Sequence, residues 1–167
     1  MTVPHVPILS PDQLPISLGT HLDGRSKTVV SDLINPHGFV VFRGYGVRSD
    51  QEFHDFIECF DLPNFTYAES FSNAVRRNRT PRVFTANEAP PEIEIFLHHE
   101  MAQTLVFPAQ LFFFCEQAPT EGGATPIGRS DLALVTLEKA RPNFVAKLRS
   151  LGVRYRNTMP DSADLAS

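Results

Sequence analysis

Leu97-His98-His99-Glu100-Met101-Ala102, followed later by the turn Gly122-Gly123-Ala124-Thr125-Pro126, is the stretch from which fold and chemistry are read. His98 and Glu100 stand two residues apart. In an extended strand such residues project from one face, so a single rigid element could offer an imidazole and a carboxylate to one metal ion. His99 would then point to the opposite face. Taken alone, a His beside a Glu on a strand is an ordinary hydrogen-bonded or exposed pair. A zinc-protease motif needs His-Glu-x-x-His, but Gln103 stands where the second imidazole should be, which excludes that reading.

The neighbouring segments add to the pair. Gln110 to Glu116 is an apolar, Phe-rich run that reads as a strand, and the Gly-Gly turn beyond it could return Thr125 toward the same cavity. That turn is neither a phosphate-binding P-loop nor a dinucleotide fingerprint, since the glycine spacing and the Lys-Ser/Thr pair are missing. No Ser or Cys sits in a nucleophile elbow.

Working outward, residues 1–24 carry four prolines and no sustained periodicity, so they are expected to form an irregular arm. Ser26 is the expected cap of a helix bearing Val29, Val30, Leu33 and Ile34 on one face and ending near Asn35-Pro36. Gly38 to Gly44 reads as a buried strand. Ser49 and Glu52 form a capping box that opens a helix with Phe53, Phe56, Ile57 and Phe60 on its core face. Short strands are expected at Arg82–Thr85, Ile93–Met101 and Val153–Arg156, and helices at Ser130–Ala140 and Pro142–Leu151, the latter stopped by Gly152. Alternating βαβ units are absent, which argues against a Rossmann sheet. The pattern fits an α+β, mostly β chain of the jelly-roll type with flanking helices.

Composition bounds the function. The chain has 167 residues, is 42% hydrophobic and 20% charged, and contains fourteen Phe and no Trp, so Phe must do the bulky packing of one domain or part of one. A net charge of −4 gives no footprint for nucleic acid. The basic cluster Arg76, Arg77, Arg79 and Arg82 is short, and reads as a solvated loop or a local anion contact. Cys59 and Cys115 belong to no CxxC spacing and are expected to be buried thiols. Met1 to Pro15 lacks the pattern of a secretory signal, and no apolar run reaches the ~18 residues of a membrane span. A cytoplasmic chain with no membrane partner is expected.

From Arg82 to Asn157 the chain resembles the TauD/TfdA family of Fe(II)/2-oxoglutarate-dependent oxygenases, in particular the clavaminate-synthase-like branch. The matching pieces, in order, are Val83-Phe84-Thr85, Pro90-Pro91, Leu97 to Met101, Phe112 to Cys115, Gly122 to Pro126 and Gly152 to Asn157, with Gly38 to Gly44 as an early strand. The resemblance implies a double-stranded β-helix, and Fe(II) held by a His-x-Asp/Glu pair and a distal His. On that basis His98 and Glu100 are iron ligands, and Thr125 helps bind the distal carboxylate of the co-substrate 2-oxoglutarate. The partners implied are dioxygen and a small-molecule substrate to be hydroxylated, 2-oxoglutarate being converted to succinate and carbon dioxide.

The family pattern also calls for a distal His and a 2-oxoglutarate-binding Arg on the order of a hundred residues beyond the first ligands. No histidine follows Glu100. His5, His21, His37 and His54 precede the motif, and Arg154 and Arg156 fall on an ordinary strand of the family. The expectation is therefore the N-terminal portion of one oxygenase domain spanning 1–167. The alternative is a catalytically inactive short form acting as a binding or regulatory module. A weaker third reading is a cupin-like metal protein using His98, His99 and Glu100 with a ligand from another chain.

Overall fold

The computed structural model describes residues 6–65, 76–86, 88, 90, 92–102 and 104–156. It divides into two compact units, Met1–Ile127 and Gly128–Ser167.

In the first unit the N-terminal arm is more ordered than its prolines suggest. Strand β1 (Ile8–Leu9) pairs in parallel with β2 (Val41–Phe42), in the register Ile8 to Val41 and Leu9 to Phe42. The Val41 and Arg43 N–H groups donate to the carbonyls of Pro7 and Leu9, each at 2.9 Å. Between the two strands lies helix α1 (Gly24–His37). Its cap is Asp23 rather than Ser26: the Asp23 carboxylate accepts the Ser26 N–H at 2.7 Å. The same bond, with help from the Ser26 hydroxyl, holds Asp23 below the ordinary aspartate range. An anion here also meets the positive end of the helix dipole, which a serine cannot do. The helix runs through Pro36 and closes at Gly38, whose φ of 80° admits the left-handed cap.

Helix α2 (Asp50–Glu58) starts at the capping box: Ser49 Oγ accepts the Glu52 N–H at 3.2 Å, and Glu52 accepts the Arg48 N–H at 2.8 Å. Ser49→Ala is expected to cost about 1 kcal/mol, read as a thermal midpoint lowered by several degrees. A variant melting with the parent would show that tertiary packing alone sets this helix start.

The core gathers on α2. Leu9, Leu14, Leu22, Val30, Phe56, Cys59 and Phe60 are buried together. Phe42 meets Phe56 at 5.2 Å, Tyr45 at 5.7 Å and Phe60 at 5.7 Å, all edge-on. The Tyr45 hydroxyl donates to the Leu14 carbonyl at 2.8 Å, and burial raises its pKa. Three buried leucines of the arm, with the Leu22 N–H on the Cys59 carbonyl at 2.7 Å, wrap it onto this core.

The Phe-rich run also docks on α2. Phe112 meets Phe60 edge-on at 5.1 Å and Phe114 stacks on Phe53 at 5.2 Å, while Leu111 and Phe113 are exposed. Alternate residues thus face α2, as the extended reading requires. No ladder forms, however: β1 and β2 make the only sheet among the described residues. The expected strands at Ile93–Met101, Gln110–Glu116 and Val153–Arg156 are turns or coil, and Arg82–Thr85 contributes a single antiparallel bridge, Asn78 to Phe84. A strand exists by hydrogen bonding to a neighbour, and these segments have none among the described residues. Among the described residues the expected jelly roll is represented by two short strands and extended segments, beside the flanking helices. Cys59 is buried as expected, but Cys115 is exposed, because the alternation at 111–115 turns it to the open side.

The second unit is a helical hairpin of α3 (Ser130–Ala140) and α4 (Pro142–Leu151), with the ranges expected. Pro142 occupies the first turn of α4, where no N–H is needed, and Gly152 ends it at φ 71°. No described helix is long and apolar enough to cross a membrane.

Candidate metal centre

Glu100 begins a tight turn through Ala102, closed by the Ala102 N–H on the His99 carbonyl at 3.3 Å. Met101 takes a φ of 60°, uncommon for a side-chain-bearing residue, and is only 3% exposed. Its buried side chain anchors the turn, and the Met101 carbonyl accepts both the N–H and the hydroxyl of Thr104, at 3.0 and 2.8 Å. Just before this turn the chain is coil rather than strand, and the two candidate ligands stand close: His98 Nε2 lies 3.8 Å from Glu100 Oε2.

The hydrogen bonding suits both side chains to a metal. His98 Nδ1 is 2.7 Å from the Phe96 carbonyl oxygen. A carbonyl only accepts, so Nδ1 donates there, and in the neutral ring Nε2 is the nitrogen that carries the lone pair. On one ion with bonds near 2 Å, neighbouring donors stand about 3 Å apart, so a pair at 3.8 Å would close slightly to share an ion, which a small rotation of either side chain allows. His98 and Glu100 could hold two positions of such a site. Among the described residues no third His, Cys, Asp or Glu joins them. His99 is exposed and stays outside the pair.

Thr125 lies in the exposed run Glu121–Gly128. Gly122 and Gly123 before it have φ of 67° and 68°, and a Cβ on Gly123 would come within 2.5 Å of Pro119. The turn thus requires glycine at both places. Among the described residues no hydrogen bond or ion pair joins Thr125 to His98 or Glu100.

Each arginine of the cluster meets a carboxylate, the local anion contact of the sequence reading; Arg77, beside Glu88, and Arg79 are exposed, while Arg76 and Arg82 are largely shielded. Residues Arg77 to Thr85 form a tight hairpin, with the Thr85 N–H on the Arg77 carbonyl at 3.0 Å and the Arg79 N–H on Val83 at 2.8 Å. It docks on a polar stripe of α2 at i, i+4 and i+8. Asp50 accepts from Arg79 at 2.7 Å, His54 Nδ1 lies 2.9 Å from Thr80 Oγ1, and Glu58 accepts from Arg82. At the hairpin's entry, Arg76 Nη2 donates to Glu100 Oε1 at 3.1 Å. Sequence reasoning missed this link. Partners 24 residues apart, joined through a third element, leave no local signal.

Comparison with known proteins gives a consistent result. The family described as "Taurine catabolism dioxygenase TauD, TfdA family" matches residues 6–163. A clavaminate synthase-like protein of Arabidopsis thaliana is 37% identical over 154 residues, covering 92% of this chain and 46% of that protein. The dapdiamide synthesis protein DdaC of Enterobacter agglomerans is 27% identical over 164 residues, covering 98% of this chain and 47% of its own length. The chain spans about half the length of the curated relatives it matches.

Proposed function

The chain belongs to the TauD/TfdA family, and from that premise we propose that it forms part of a non-haem Fe(II)/2-oxoglutarate-dependent oxygenase acting on a small metabolite. The observation that carries the proposal is the convergence of His98 Nε2 and Glu100 Oε2, with the imidazole proton committed to the far nitrogen. When bound, iron supplies the activation of dioxygen that couples oxidation of the keto acid to oxidation of a substrate C–H bond. His98 and Glu100 are two of its ligands. His98 offers Nε2, the nitrogen that carries the lone pair in the neutral ring. Glu100 offers one carboxylate oxygen and a negative charge, and Met101 fixes the backbone between that carboxylate and the rest of the fold. The third ligand and the arginine that clamps 2-oxoglutarate are proposed to lie outside these 167 residues.

The coding sequence past Ser167 tests this. An in-frame His, with an Arg roughly ten to fifteen residues after it, supports the reading. A stop codon with neither residue favours the short form as a binding or regulatory module.

Thr125 is proposed to donate its hydroxyl to the distal carboxylate of 2-oxoglutarate. In the protein extended by that in-frame continuation, Thr125→Val is expected to remove a charge-assisted bond of ~1.5–3 kcal/mol. The 2-oxoglutarate requirement should rise by one to two orders of magnitude, with iron affinity nearly intact. An unchanged requirement would leave the Gly-Gly-Ala-Thr turn with a structural role only.

A further inference from the structure

We propose that His54 makes the docking of the hairpin on α2 sensitive to protons: the docked hairpin takes the imidazole neutral, with its proton on Nε2, and its tip loosens when a second proton arrives. The inference does not depend on the metal reading. It starts from the Thr80 hydroxyl. Thr80 Oγ1 accepts the Val83 N–H at 3.0 Å and the Arg82 N–H at 3.2 Å, which close the hairpin tip. A hydroxyl oxygen has two lone pairs, and both are taken. What remains to it is one O–H to donate, and His54 Nδ1 stands 2.9 Å away. Nδ1 is therefore the acceptor, and the neutral ring carries its proton on Nε2.

A second proton meets opposition on both sides of the ring. At Nδ1 it sets an N–H against an oxygen with no lone pair left, and strands the Thr80 O–H that pointed there. On the other side, Nε2 lies 3.7 Å from Glu58 Oε1, a contact that a positive ring would favour. That same oxygen already accepts from Arg82 Nε, so imidazolium and guanidinium would have to share it. The other charged groups on this face are also engaged. Asp50, one helical turn before His54, accepts from Arg79 at 2.7 Å, Glu116 of the Phe-rich run lies 3.9 Å from Arg79, and Arg77 meets Glu88. The His54 side chain is 17% exposed and that of Arg82 16%, which leaves little water to replace the lost bond. Val83 is buried, so the hairpin stays attached while its tip opens. Docking is thus firm where imidazole is neutral and weakens as pH falls through its titration.

Nuclear magnetic resonance of the 167-residue chain tests the inference. At about pH 8, above the imidazole range, proton–nitrogen correlation spectra should show His54 as a single tautomer with the proton on Nε2. A proton on Nδ1, or the tautomer mixture of free imidazole, would overturn it. As pH falls from about 8 to about 5, protection of the Arg82 and Val83 N–H groups against hydrogen exchange, corrected for intrinsic rates, should drop. The expected drop is about fivefold to tenfold, the equilibrium equivalent of one net hydrogen bond, with α1 unchanged. Protection that holds, or that falls equally in α1, would also overturn the inference. His54→Gln keeps a neutral acceptor and cannot gain a proton, so its hairpin protection should not change with pH in this window; a retained pH dependence would place the effect elsewhere and sink the assignment to His54. If circular dichroism shows His54→Gln unfolded, the parent's tautomer and protection profile decide together.

Discussion

Phe56→Ala is expected to destabilise the first unit by about 3–5 kcal/mol. Phe56 is buried, lies on the core face of α2, and touches the rings of Phe42, Tyr45 and Phe60 at 5.2 to 5.6 Å. Its removal takes away transfer free energy and leaves a cavity among rings that cannot all collapse into it. Total stabilities are only about 5–15 kcal/mol, so one substitution takes a large share. Urea titration should show the midpoint falling with little change in slope. Phe113→Ala is the control: that ring is 74% exposed, and the expected change is within about 0.5 kcal/mol. A Phe56→Ala loss no larger than the control's would mean that α2 is not the organising element.

The second large effect concerns the metal centre. In the protein extended by its in-frame continuation, His98→Ala and Glu100→Ala are each expected to reduce iron-dependent succinate formation to background. Each removes one of the two donors that converge within 3.8 Å. His99→Ala should cost far less, because that side chain is exposed and outside the pair. Equal losses at His98 and His99 would show that the wrong imidazole has been assigned. Full activity without Glu100 would leave the Arg76–Glu100 pair a structural ion pair.

Local rules carried a good part of the fold. Helices α2, α3 and α4 were legible because each is written in its own residues: a capping box, a proline in a first turn, a glycine at an end, and Phe53, Phe56, Ile57 and Phe60 at helical spacing. The cap of α1 was misread because Asp23 and Ser26 both suit that role, and the helix dipole decides for the charged one. The arm was read as irregular because two-residue strands leave no periodicity. Its attachment depends on Pro7 and Leu9 carbonyls meeting a segment that lies beyond α1.

The candidate site divides in the same way. The sequence by itself determined which side chains stand at i and i+2, that Gly122-Gly123 makes a turn, and, through several motifs in order, the family. Only the tertiary structure decided that His98 and Glu100 meet on a coil segment ahead of a buried Met101 turn, not on a strand. It alone decided that an arginine 24 residues earlier holds one of the carboxylate oxygens. The physical reason is range. Caps, turns and helical faces are settled by neighbours within a few residues, whereas ladders and ion pairs depend on which distant segments the packing on α2 brings together.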